Sequence, residues 1–150
     1  MEKLKNMVRS ANKEDLAQVA ALAAQLWQEH TAQELLEAFS VALEAGNSRF
    51  FLIDTEGEPA GFAQCQLRQD YVEGTQTSPV GYLEGIFVRE GFRHRGFARA
   101  LLQACEAWAR EQGCSEFASD CSTENLPSIR FHRALEFEEA GRIVCFVKRL

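Results

Sequence analysis

The segment that decides the fold reads Val88-Arg89-Glu90-Gly91-Phe92-Arg93-His94-Arg95-Gly96-Phe97-Ala98-Arg99. It starts as the end of an apolar strand, turns through a basic stretch that contains glycine, and continues directly into a helical pattern. The first amides of a helix have no partner inside the helix and carry partial positive charge. The segment therefore predicts an anion-binding turn, in which Gly96 lets a phosphate approach the backbone and the arginines add charge.

This basic segment lies in an acidic chain. Twenty-two acidic and sixteen basic residues give the 150-residue protein a formal net charge of -6. Because that charge repels a phosphate backbone and attracts cations, we expect no nucleic-acid partner. No stretch approaches the roughly 18 apolar residues of a membrane span, and no signal-peptide core follows the basic start Met1–Lys5. We therefore expect a cytoplasmic protein without membrane contact.

The cysteines predict neither disulfides nor a metal site. Their number is odd, and no two of them form a Cys-x-x-Cys pair, so reduced thiols that pack as small buried side chains are expected. The five are Cys65, Cys105, Cys114, Cys121 and Cys145.

Hydrophobic periodicity and capping residues predict one α/β domain over residues 1–150. The order is β-α-α-β-β-β-α-β-α-β, a mixed central sheet flanked by about four helices. Strands are expected at 5–10, 49–55, 60–68, 81–88, 116–121 and 142–149. Helices are expected after Asn12, from Thr31 to Gly46, over 96–110, and from Asn125 to about Leu135.

Alternation within the strand at 81–88 places Tyr82, Glu84, Ile86 and Val88 on one face. Glu84 is then a carboxylate in an apolar strand, and such a group is rarely buried without a partner. We therefore expect a partner for Glu84.

The turn Arg93-His94-Arg95-Gly96-Phe97-Ala98 matches Arg/Gln-x-x-Gly-x-Gly/Ala, and the chain resembles the GCN5-related N-acetyltransferase (GNAT) superfamily, whose coenzyme A loop has this pattern. The resemblance implies the GNAT fold and acetyl-CoA as co-substrate, with no metal. It assigns the cofactor site to Ile86, Phe87, Val88, Arg93, His94, Arg95, Gly96, Phe97, Ala98, Arg99 and Asn125.

The superfamily's next motif is Asn-x-x-Ala-x-x-x-Tyr-x-x-x-Gly-Phe. Asn125, Ser128, His132 and Phe137 stand at its spacings, with His132 in place of the tyrosine and Glu136 in place of the glycine. In the superfamily this tyrosine is often assigned to protonating the leaving thiolate, so His132 is a candidate for that role. Water is an alternative donor, and His132 as a packing or capping residue is an equal alternative. The resemblance implies that Asn125 contacts the pantetheine arm. The alternative is that Asn125 only caps a helix.

Residues 71–88, 116–120 and 132–135 resemble the aminoglycoside 6′-N-acetyltransferases of type I. This narrower resemblance implies acetyl transfer to the 6′-amino group of an aminoglycoside and hence antibiotic resistance. Members of that family usually carry an acid where this chain has Ala140-Gly141. By the resemblance, the drug site consists of Trp27, Tyr71, Glu73, Glu84 and Asp120.

The chemistry of a polycationic amine points the same way. Its ammonium groups call for carboxylates and aromatic faces, and an ammonium must lose a proton before it attacks a thioester. Asp120 is the first candidate for the base and Glu84 the second. Glu138 and Glu139 are weaker candidates for binding the substrate, because a charge run after a helix is usually solvated. The alternatives are structural: Trp27 in the core, Tyr71 and Glu73 on a loop surface, and Asp120 as a turn cap.

Two other functions remain open at this point. One is an acetyltransferase for another amine, such as a polyamine or a protein N-terminus, and the other is a non-catalytic acyl-CoA or cationic-ligand binding module. The apolar last strand, over 143–147, is suited to pairing with a second subunit or swapping into it. We therefore expect a homodimer.

Overall fold

A mixed β-sheet forms the centre of the computed structural model, which describes residues 2–150. The described strands lie side by side in chain order, and the first four are antiparallel to their neighbours, whereas the fifth runs parallel to the fourth. They are β1 (Val8–Ser10), β2 (Ser48–Thr55), β3 (Glu58–Arg68), β4 (Val80–Val88) and β5 (Phe117–Ala118).

The helices begin and end where the sequence supplies capping groups. Asn12 accepts a hydrogen bond from the amide of Asp15 at 3.2 Å, and Thr31 accepts one from the amide of Glu34 at 3.1 Å, as predicted. In the described chain the helices are α1 (Glu2–Lys5), α2 (Leu16–Leu26), α3 (Ala32–Ala45), α4 (Phe97–Glu111) and α5 (Leu126–Ala134). None of them, within residues 2–150, is both long and apolar enough to cross a membrane.

Helices cover both faces of the sheet. On one face, Leu101 and Cys105 of α4 are fully buried against side chains of β2, β3 and β4. On the other face, α2 and α3 bury Leu16 and Phe39 against Phe50 and other residues of the sheet. Each such side chain contributes about 1.5–3 kcal/mol by leaving water, so the two cores hold β4 rigidly between the layers.

A β-bulge makes the expected alternation along β4 wrong. Gln64 of β3 lies opposite Gly85 and Cys65 lies opposite Leu83, so Glu84 is the extra residue. Leu83 therefore packs with Ile86 and Val88 in the core under α4, and the single face predicted for Tyr82, Glu84, Ile86 and Val88 does not exist. A bulge changes the phase of a period-2 pattern, so alternation alone does not predict the faces of this strand.

The first strand, β5 and the C-terminal segment also differ from the predictions. Lys5 ends α1, so the first strand begins only at Val8, and β5 is two residues long where 116–121 was expected. No strand forms over 142–149 in the described chain, and Ile143 and Phe146 are 68% and 92% exposed. A strand needs a partner for its backbone groups, and the chain places none of the described strands beside this segment.

The cysteines divide into two groups. Cys65, Cys105 and Cys114 are buried, as predicted, and burial raises the pKa of the Cys105 and Cys114 thiols, which keeps them protonated. Cys145 is exposed and Cys121 is half-buried, so the prediction of burial is wrong for Cys145. Cys145 is exposed because it lies in the segment that forms no strand.

Glu136 occupies a backbone conformation that favours glycine. Its φ is +70°, directly after α5, at the position where the superfamily motif has glycine. Glu136→Gly should raise the free energy of unfolding by about 1 kcal/mol, because glycine adopts this conformation without strain. Glu136→Ala removes the same charge and keeps the strain, so it is the matched control in urea denaturation. A glycine variant no more stable than the alanine variant would contradict the prediction.

Candidate active site

The candidate site lies where β4 and β5 separate. The two strands pair only at Gly81 with Phe117 and at Tyr82 with Ala118, while β4 continues to Val88. Beyond Leu83, whose carbonyl lies 3.5 Å from the Ser119 hydroxyl, the edge of β4 that faces β5 has no partner strand among the described residues. The result is a wedge, lined on one side by backbone of residues 84–88, and we call it the β4–β5 wedge. Unpaired backbone groups of this kind bind an extended ligand in the manner of an added strand.

The open end of the wedge meets the anion-binding turn predicted from the sequence. Gly96 precedes α4 with a φ of +84°, and His94 has a φ of +63°. The first helical hydrogen bond runs from the Ala100 amide to the Gly96 carbonyl at 3.1 Å, so the three amides between them point out of the helix end. A run of outward amides at a helix N-terminus suits a phosphate.

The arginines of this turn have different roles. Arg93 donates from Nε to the Val88 carbonyl at 2.7 Å, Arg99 donates to the Ala134 carbonyl at 3.2 Å, and Arg89 pairs with Glu58 at 3.1 Å. Arg95 lies over the ring of Phe92 at 5.6 Å, and its guanidinium finds no acceptor within the described chain. Arg93 thus braces the end of β4, while Arg95 is exposed and available to an anion.

The other residues predicted to bind the cofactor contribute mainly backbone. Ile86 and Val88 pack beneath α4, and Phe87 packs on the α2 side, so only their backbone borders the wedge. Phe97 is buried in the core and Ala98 is packed against it. Asn125 caps α5 by accepting the Ser128 amide at 3.2 Å, which is the helix-cap alternative raised from the sequence.

A chain of polar contacts lies at the narrow end of the wedge, where β4 and β5 are still paired. Arg68 binds the Glu84 carboxylate at 2.9 and 3.1 Å, which confirms that Glu84 has a partner. The Arg68 guanidinium also lies 3.5 Å from the centre of the Tyr82 ring, and the Tyr82 hydroxyl donates to Asp120. Burial, and then the hydrogen bond to the Asp120 carboxylate, raises the pKa of Tyr82 well above its usual range. Tyr82 therefore stays a donor, and both candidate bases are held in place.

Trp27 lies beside the bulge of β4. It is half-buried between Phe39 and Phe62, and its ring is so close to Gly85 that a β-carbon there would come within 2.5 Å of it. The structure thus brings Trp27, Glu84 and Asp120 to the same stretch of β4. Tyr71 and Glu73 lie exposed on the adjoining loop, which is anchored where Val72 packs against Tyr82.

A serine and a histidine lie at the point of the wedge. His132 of α5 approaches the Ser119 hydroxyl with Nε2 at 2.8 Å, and its Nδ1 lies 2.7 Å from the Ser128 carbonyl. Sequence reasoning missed Ser119, although it directly precedes Asp120 at the end of a strand. It also missed Arg68, because no local pattern marks a partner sixteen residues away from Glu84 in the chain.

Other parts of the surface lack this chemistry. A groove of about 610 Å³ between α4 and the edge of β1 and β2 is lined by Arg49, Trp108 and neighbouring residues, and it includes none of the predicted site residues. No cluster of three or more His, Cys, Asp or Glu side chains suited to a metal ion occurs in the part of the chain that the structure describes. The β4–β5 wedge is therefore the candidate active site.

Comparison with known proteins agrees with this geometry. The model of the acetyltransferase (GNAT) family matches residues 13–137. The chain belongs to the GNAT family. Its fold class, predicted from the element order and the loop motif, is thereby confirmed.

Among GNAT proteins, the chain is similar to aminoglycoside N(6′)-acetyltransferases type 1 over nearly its whole length. The relative from Salmonella enteritidis is 41% identical over 142 residues, which are 95% of this chain and 98% of the relative. The relative from Stenotrophomonas maltophilia is 42% identical and covers 93% of this chain and 90% of its own. The predicted resemblance to this type is confirmed.

A solved structure gives the same result. AAC(6′)-Iy in complex with the bisubstrate analog CoA-S-monomethyl-acetylneamine superimposes with a TM-score of 0.90 at 40% identity, over 95% of this chain and 97% of that one. A GNAT enzyme of nearly identical shape therefore binds a molecule that joins coenzyme A to an aminoglycoside fragment.

Proposed function

We propose that this protein transfers the acetyl group of acetyl-CoA to the 6′-amino group of aminoglycoside antibiotics and so confers resistance to them. One observation carries the proposal: the enzyme that binds the joined CoA–aminoglycoside analog shares this fold and 40% of these residues over almost the full chain. The β4–β5 wedge and the charges around it supply the physical reasons.

Acetyl-CoA fits the residues of the wedge. Its pyrophosphate meets the outward amides after Gly96 and the exposed guanidinium of Arg95, and both favour negative charge. The extended pantetheine arm pairs with the backbone of residues 86–88, where β4 has no partner strand among the described residues. The thioester then lies towards the point of the wedge, near the bulge at Glu84.

The aminoglycoside fits the polar side chains at the narrow end of the wedge. Asp120 and Glu73 are exposed carboxylates, and the net charge of -6 attracts a polycation to them. Trp27 and Tyr71 offer aromatic faces to sugar rings and ammonium groups. Glu84 is neutralised by Arg68 and serves to orient donors, so Asp120 is the stronger acceptor for the amine.

The reaction is a direct attack of the amine on the thioester. Asp120, held by Tyr82, takes the first proton from the ammonium and leaves the nitrogen lone pair free. A backbone amide of β4 meets the negative charge that develops on the carbonyl oxygen. The half-buried Cys121 has no role as a nucleophile in this scheme. We assign the enzyme to the cytoplasm, where acetyl-CoA is available.

The first experiment measures acetyl-CoA-dependent thiol release with kanamycin, which carries a 6′-amine, and with a matched aminoglycoside that carries a 6′-hydroxyl. We expect release with the amine alone, because a hydroxyl at that position is a much weaker nucleophile towards a thioester. Equal release from both would contradict the 6′ position. Intact acetyl-CoA binding without release from either would favour another amine, such as a polyamine or a protein N-terminus.

Arg95→Ala should raise the KM for acetyl-CoA about tenfold, because a charge-assisted contact with phosphate is lost. The turnover at saturating acetyl-CoA should hardly change. Arg89→Ala is the matched control, since it removes a charge of the same type from the same segment, where Arg89 is paired with Glu58. Equal effects of the two variants on KM would mean that overall charge, rather than Arg95, sets the affinity.

We also propose that the enzyme is a homodimer joined by its C-terminal segment, residues 142–150. Val144, Phe146 and Val147 are 77%, 92% and 80% exposed, which costs free energy in a monomer. In the described chain β5 is the last strand of the sheet, so its outer edge is open. The segment of a second copy pairs with that edge and buries its own apolar side chains.

Phe146→Asp should convert the dimer to a monomer, because it places a charge in the paired segment. Light scattering should then give a mass near 16.9 kDa in place of twice that value. Val41→Asp is the control, since Val41 is an equally apolar side chain, 70% exposed on α3. A wild-type protein that is monomeric at micromolar concentration would refute the proposal.

A further inference from the structure

Acetylation of an ammonium group requires two protons to leave the nitrogen. The first proton leaves before the attack, and in the proposed mechanism Asp120 accepts it. The second leaves after the nitrogen has bonded to the carbonyl carbon, while the departing sulfur needs a proton. A group that accepts the second proton and returns it to sulfur would serve both needs.

Hydrogen-bond geometry indicates which nitrogen of the neutral His132 ring carries the hydrogen. Its Nδ1 lies 2.7 Å from the Ser128 carbonyl oxygen, which only accepts hydrogen bonds, and 3.3 Å from the Ser128 hydroxyl, which can donate or accept. The shorter contact requires a donor, so it places the hydrogen on Nδ1. In the neutral ring Nε2 is then the acceptor, and it lies 2.8 Å from Ser119 Oγ. The Ser119 hydroxyl therefore donates to His132, the nearer acceptor, in preference to the Leu83 carbonyl at 3.5 Å, and its lone pairs face away from the ring.

The packing of the ring maintains this arrangement. His132 meets Phe131 and Phe137 edge to face, with centroids 5.4 and 5.0 Å away. Ser119 follows β5 directly and lies 3.5 Å from the Leu83 carbonyl, at the point of the β4–β5 wedge. Ser119 thus stands between His132 and β4 at the place where the acyl group is proposed to lie.

We propose that Ser119 and His132 form a proton relay for acetyl transfer, with Ser119 as the catalytic residue and His132 as the group that stores the proton. The inference rests on the proposed function. It gives His132 the task of moving a proton through Ser119 instead of donating directly to sulfur.

The steps balance without another reactant. The amine lone pair forms the N–C bond, and the carbonyl π pair moves to oxygen. The nitrogen gives its proton to Ser119 Oγ while the Ser119 proton passes to His132 Nε2. The oxygen pair then restores the carbonyl, the C–S bond breaks with its electrons on sulfur, and sulfur takes the proton of Ser119. His132 returns its proton to Ser119, Asp120 loses the first proton to water, and the products are an amide and a thiol.

Steady-state kinetics with kanamycin test the relay. Ser119→Ala and His132→Gln should each lower kcat about 100-fold with little change in either KM, because proton transfer is lost and binding is kept. Ser119→Thr keeps the hydroxyl and should retain most of the activity. The double variant Ser119→Ala/His132→Gln should be no slower than the worse single variant, because the two groups act in series. Multiplied losses in the double variant would overturn the relay.

Two further measurements separate a relay from a packing role. The wild type should show a solvent deuterium isotope effect on kcat with a curved proton inventory, because two protons move together, and Ser119→Ala should give a linear inventory. In the free protein, nitrogen NMR should show His132 with hydrogen on Nδ1, and Ser119→Ala should shift only the Nε2 signal of this ring. Hydrogen on Nε2 alone would overturn the relay without any assay of activity.

The outcomes also separate this inference from the proposed function. Full activity of Ser119→Ala beside an active wild type would overturn the relay and leave the acetyltransferase intact. A wild type that releases no thiol with any amine would overturn both.

Discussion

The early separation of β4 from β5 is the constraint on which the rest of the site depends. β4 is paired with β3 along its whole length but with β5 at only two positions, and its backbone beyond Leu83 needs other partners. Buried backbone groups that find no strand must bind water or a ligand. Because α4 begins at the open end of the same wedge, an unpaired strand edge and the N-terminus of a helix lie next to each other.

Some charged groups of the site contact other groups of the protein, and others are exposed and available to a ligand. Arg93 donates to the Val88 carbonyl, which orients its side chain and leaves its charge, whereas the charge of Glu84 is paired with Arg68. Arg95 and Asp120 remain exposed at different parts of the wedge. An anion is thus attracted to one end and a cation to the other, which suits a reaction between a phosphorylated donor and a polycationic acceptor.

The sequence predicted those features that depend on neighbours along the chain. The caps at Asn12, Thr31 and Asn125, and the glycine turn that opens α4 at Gly96, rest on residues within one helical turn, and all form as expected. Errors arose where a distant partner decides. The bulge at Glu84, the ion pair with Arg68 and the contact between Ser119 and His132 depend on strand register and helix packing, which periodicity does not encode.

Two departures from the superfamily motif, His132 and Glu136, lie on the same short stretch and have related physical consequences. Glu136 keeps a left-handed turn without glycine, and the chain then brings Phe137 against His132, whose carbonyl accepts the Phe137 amide at 3.0 Å. Phe131 and Phe137 hold the ring of His132 so that Nε2 points to Ser119. A neutral imidazole has one nitrogen that donates a hydrogen bond and one that accepts, whereas a phenol has a single oxygen. Histidine in place of tyrosine at this position therefore provides a ring that can accept a proton and return it.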